Sequence, residues 1–99
     1  MSRPKYYWHN IVRKMVMRYP EIKSEESQQA KAYTKAIEDA LAYTLGLENG
    51  SDKIQGISLV LIKKTHTVEG AALELNYSPR TVQRWVIAFI KTVGKYVGF

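Results

Sequence analysis

Two helix-start signals stand close together near the end of this chain. Thr67 opens TVEGAALEL, Ser78-Pro79 opens SPRTVQRWVIAF, and the Asn76-Tyr77 break lies just before the second. A Ser or Thr side chain satisfies a backbone N–H of the first turn, and proline tolerates a first-turn position because no partner is needed there. The chain is therefore confined to a short helix, a tight elbow and a second helix. Either this is a packed helical hairpin, or the second helix is presented to a DNA groove.

A helix-turn-helix needs a small residue where its helices touch, a residue tolerant of left-handed angles in the turn, and an apolar residue facing inward beyond it. Ala72, Asn76 and Val82 meet these needs, with Ala71, Leu75 and Tyr77 packing around the elbow. Along the second helix, Val82, Trp85, Val86, Phe89 and Val93 form an inward stripe. Arg80, Gln83, Arg84, Ile87 and Lys91 fall on the other side, with Thr81 at the border. Arginine pairs bidentately with guanine and glutamine with adenine, so the spacing predicts a recognition helix over 79–90 with Arg80, Gln83 and Arg84 as base readers. Ser78, Thr81, Lys63, Lys64 and Lys91 are candidate phosphate contacts, as are the unpaired N–H groups at Thr67–Glu69.

The rest of the chain also reads as helical. Pro4 suits a first turn, Trp8, Ile11, Met15 and Tyr19 recur at helical spacing, and Pro20 is expected to end that segment. Ser24 is the expected cap of a second helix with a stripe of Ala30, Tyr33, Ile37, Leu41 and Leu45, stopped by Gly46. After a loop at 47–51, Asp52 with Gln55 resembles a capping box for a third helix. ISLVLI at 57–62 would also suit a buried strand, but a lone strand has nothing to pair with, so a buried helix to about Lys64 is expected. The sequence thus predicts one all-α domain over 1–99 with five helices. Residues 4–45 form a two-helix support and 52–97 a C-terminal helix-turn-helix part.

Charge is unevenly spread. Residues 1–23 hold six Lys/Arg against one Glu, 24–52 hold two against six acidic groups, and 53–99 hold seven against two, for a net +6. Basic ends around an acidic middle fit a polyanionic partner such as a phosphate backbone. No apolar run approaches the ~20 residues that cross a bilayer, and MSRPKYYWHN is no secretory leader, so no membrane partner and a cytoplasmic location are expected. With no cysteine there is no thiolate metal site, and His9 and His66 lack a second ligand at metal spacing. No phosphate-binding glycine loop and no serine–histidine–carboxylate set is legible, so neither a cofactor nor an enzymatic activity is expected.

LIKKTHTVEGAALELNYSPRTVQRWVIAFIKTVGKYVG, residues 61–98, resembles the C-terminal part of phage-encoded transcriptional regulators of the RinA/ArpU type. The shared features are a helix ending in basic residues, Thr-x-Glu-x-Ala-Ala, Ser-x-Arg-Thr, a Trp one turn later and a Phe-Ile pair. Their helix-turn-helix is similar to region 4 of sigma factors, and YYWHNIVRKMVMRYP resembles the same group more loosely. The resemblance implies control of phage or prophage genes from double-stranded DNA in a host bacterium, and RNA polymerase as a further partner. A homodimer through the Glu25–Leu45 helix or the Tyr96–Phe99 tail would supply a second recognition helix. Two rival readings stay open: a small terminase-like DNA-packaging subunit, and a protein-binding module acting on RNA polymerase or a sigma factor.

Overall fold

The computed structural model describes residues 8–99. Pro4, expected in the first turn of the first helix, lies outside them. Within the described residues the chain is helical with no strand: α1 His9–Met17, α2 Tyr19–Ile22, α3 Gln28–Leu45, α4 Gly50–Ile57 running into a π-helical turn Ser58–Ile62, α5 Val68–Leu75 and α6 Pro79–Val97. The described residues form six helices rather than the expected five. The first helix stops at Met17, short of Pro20, and Tyr19 and Pro20 both enter α2, whose first turn suits the fixed φ of proline.

That extra turn corrects the start of α3. Ile22 is 5% exposed, so α2 must stay folded against its neighbours, and Ser24 sits in the turn behind it, donating to the Glu21 carbonyl at 2.9 Å. The cap of α3 is Ser27, whose Oγ accepts from the Ala30 N–H at 3.1 Å. The buried stripe of α3 is also rotated from the expected one. Ala30, Ala36, Ile37, Ala40 and Thr44 face inward, Tyr33 and Leu41 are half-buried, and Leu45 is 59% exposed. Small residues win these places because α3 lies close against α6 and α4.

Asp52 does not cap α4, another correction. The helix begins at Gly50 after Asn49 turns left-handed (φ 57°), and a Cβ on Gly50 would collide with the Leu45 backbone. Asp52 lies inside the first turn and accepts a 2.6 Å hydrogen bond from the Tyr77 hydroxyl. ISLVLI is helical as expected. The reason for its strand-like appearance is visible: Ile57, Leu59, Val60 and Leu61 are all buried, so it has no polar face. Widening to a π turn, with the Lys63 N–H on the Ser58 carbonyl at 2.7 Å, accompanies burial all round.

α6 is the central strut, packed by α3, α4, α5 and α1. A single apolar cluster joins Trp8, Val12 and Val16 of the N-terminal part to Ile37, Ile57, Leu61, Val82, Phe89, Ile90 and Val93. Trp8 presses on Gly94 and stacks on Phe99, with centroids 5.4 Å apart and planes at 10°. No described helix is long and apolar enough to cross a membrane.

Candidate nucleic-acid interface

The α5–α6 elbow forms as its residue types require. Thr67 Oγ1 accepts from the Gly70 N–H at 3.0 Å, and α5 ends at Asn76 in the left-handed region (φ 63°). The Tyr77 N–H returns to the Ala72 carbonyl at 2.9 Å, and Ser78 Oγ accepts from the Thr81 N–H at 3.2 Å to start α6. Ala71, Ala72 and Val82 are at most 1% exposed, so the two helices meet through small and branched groups.

Behind the elbow a polar-aromatic brace ties it to α4. The Tyr77 ring meets the Trp85 ring edge-on at 4.6 Å while its hydroxyl holds Asp52, and that hydrogen bond pushes the phenol's pKa up. Trp85 is half-buried and lies over Gly56, where an added Cβ would stand 3.3 Å from the indole. A tryptophan at this point therefore braces α6 against α4 rather than filling the centre of the core.

Arg80, Arg84 and Lys91 are exposed, and Gln83 and Ile87 are half-buried. Among the described residues, Arg80, Gln83 and Arg84 take part in no ion pair and no side-chain hydrogen bond. The face on which the three expected base readers fall is thus accessible. Ser78 and Thr81 stand at the N-terminal end of α6 with their hydroxyls 2.8 Å apart. Lys91 lies further along α6, where its charge reaches His9 of α1.

The segment before α5 is less uniform than its sequence. Lys63 is exposed, and among the described residues nothing pairs with its ammonium. Lys64 turns left-handed (φ 56°) and its Nζ donates to the Met17 carbonyl at 2.8 Å, tying this loop to the C-terminal end of α1. Its ammonium already serves the fold. Next to it, His66 Nε2 and Glu74 Oε1 lie 3.0 Å apart, and His66 Nδ1 is 2.9 Å from Thr65 Oγ1. These ties join positions far apart in the chain (17 with 64, 52 with 77), and no local spacing announces them.

Among the described residues no group of His, Asp and Glu is placed to hold a metal ion. Nothing matched this chain among family models, curated proteins or solved structures. What remains is the chemistry of the face itself. Two guanidinium groups and an amide stand along one side of a helix whose opposite side is core, with a Ser-Pro start at one end. Such a surface can hydrogen-bond planar acceptor–donor edges and can neutralise phosphate.

Proposed function

We propose that this protein binds double-stranded DNA sequence-specifically and regulates transcription of phage or prophage genes. α6 enters the major groove by residues 79–90. Arg80, Gln83 and Arg84 read base edges, and Ser78, Thr81, Lys63 and Lys91 meet phosphates together with the N–H groups at the start of α5. Lys64 contributes charge while holding α1. The observation that carries this reading is the accessible, unpaired state of Arg80, Gln83 and Arg84 on a helix locked by a buried opposite face. The resemblance of residues 61–98 to RinA/ArpU-type regulators supports it and adds RNA polymerase as a partner, while a second copy of the chain would supply a second recognition helix.

Selection from random duplexes, followed by titration at two salt concentrations, tests the reading. The expected result is an enriched motif bound more tightly than random DNA, with affinity falling steeply as salt rises. Binding that never distinguishes sequences would reduce the face to a phosphate-binding surface.

A rival reading makes this a protein-binding module, and Leu73 of α5, 82% exposed, would then be covered by the partner. A module working purely on polymerase or a sigma factor would co-purify with it and show no salt-dependent DNA binding. A terminase-like subunit would give ring-sized particles in sedimentation.

A further inference from the structure

Ile87 is the one aliphatic member of the α6 face that carries Arg80, Gln83, Arg84 and Lys91. It lies seven residues after Arg80, four after Gln83, three after Arg84 and four before Lys91, so all of these share one side of the helix. It is half-buried, yet it is not among the residues packed against the hydrophobic core, where the partly buried members from α6 are Trp85 and Val97. Its neighbours at helical spacing are Gln83, Arg84 and Lys91 and, on the inner side, the buried Ile90. A β-branched residue is a poor choice for a solvated helix position, because it loses rotamer freedom that straight-chain residues keep. Exposed aliphatic groups occur elsewhere on the helices, as at Ile11 and Leu45, but core packing does not account for isoleucine here.

The spacing does. Arg80, Gln83, Arg84 and Ile87 form an i, i+3, i+4, i+7 set, the one by which a homeodomain recognition helix offers four side chains to the major groove. Of the groups exposed there, the thymine C5-methyl is the apolar one. Resting on the DNA-binding reading above, we infer that Ile87 is a specificity residue that packs on the methyl of a thymine. Three residues of helix advance about 4.5 Å, so the thymine is expected close to the pair met by Arg84.

The test is a uracil scan of the duplex enriched by selection, each thymine replaced singly so that only its methyl is lost. Wild type is expected to lose about fourfold in affinity at one position, the worth of one buried methyl group. Ile87→Ala, its fold checked by an unchanged melting curve, should bind the all-thymine site about as weakly as wild type binds the uracil one, and should ignore the replacement. An enriched motif with a flat scan, or a scan unaltered by Ile87→Ala, overturns the role of Ile87 and leaves DNA recognition standing. No enriched motif overturns both.

Discussion

The imidazole of His9 is 3% exposed, and neither ring nitrogen has a hydrogen-bond partner among the described residues. Its pKa is lowered, first by burial and then by the charges of Arg13 and Lys91. In the unfolded chain the ring takes its proton near the ordinary value of about 6.5, while the folded chain resists until lower pH. The stabilising difference is complete above about pH 6.5 and is lost as pH falls from there toward the lower folded value. Melting temperature should therefore drop between pH 7.5 and 5.5, and His9→Leu should flatten that drop; an equally steep fall in the variant would clear His9 of responsibility. Gly94 offers a second residue-scale test. A Cβ there would drive into the Trp8 ring, so Gly94→Ala should destabilise by about 1–3 kcal/mol, read from thermal or denaturant melting. Residues of this kind differ in how far they could be read in advance. Asn76 was legible because left-handed tolerance is a property of the residue itself. Lys64 was not, since lysine has no such preference and is held left-handed by its reach to Met17.

Among the elements, starts governed by local chemistry were readable and starts governed by burial elsewhere were not. Thr67 and Ser78 cap α5 and α6 where Ser, Thr and Pro said they should. α3 begins at Gln28 because Ile22 holds α2 against the body of the protein, which moves capping from Ser24 to Ser27. Replacing each serine by alanine separates the two. Ser27→Ala should cost about 1 kcal/mol in denaturant unfolding, and Ser24→Ala much less. Equal losses would mean that the turn after α2 matters as much as the cap. The rotated stripe of α3 has a similar origin. Periodicity announced an amphipathic helix, but choosing Ala36 and Ala40 over Leu45 for the inside depended on how close α6 and α4 come, which no pattern within α3 encodes.

At the scale of the molecule, the all-helical class and the exposed arginines of α6 were legible, because most residues sort inward or outward by helical period around Phe89, with Trp85 and Gln83 half-buried between. The braces behind those arginines were not, since Tyr77–Asp52, Lys64–Met17 and Trp8–Gly94 are made by the tertiary arrangement. If α6 reads bases, Arg80→Ala should weaken the selected site by about 1–3 kcal/mol and barely affect random duplexes. Lys63→Ala should weaken both alike and lower the salt slope by about one. Equal losses at Arg80 on the two kinds of duplex would place that side chain on phosphate.

Those braces grip α6 near both of its ends: Trp85 on Gly56 and Tyr77 toward the start, Trp8 on Gly94 toward the finish. A rod pinned twice has no freedom to swing. Whatever meets its outer row meets a fixed template, so little of the interaction is consumed in ordering the protein, and any bending needed for a good fit falls to the other molecule.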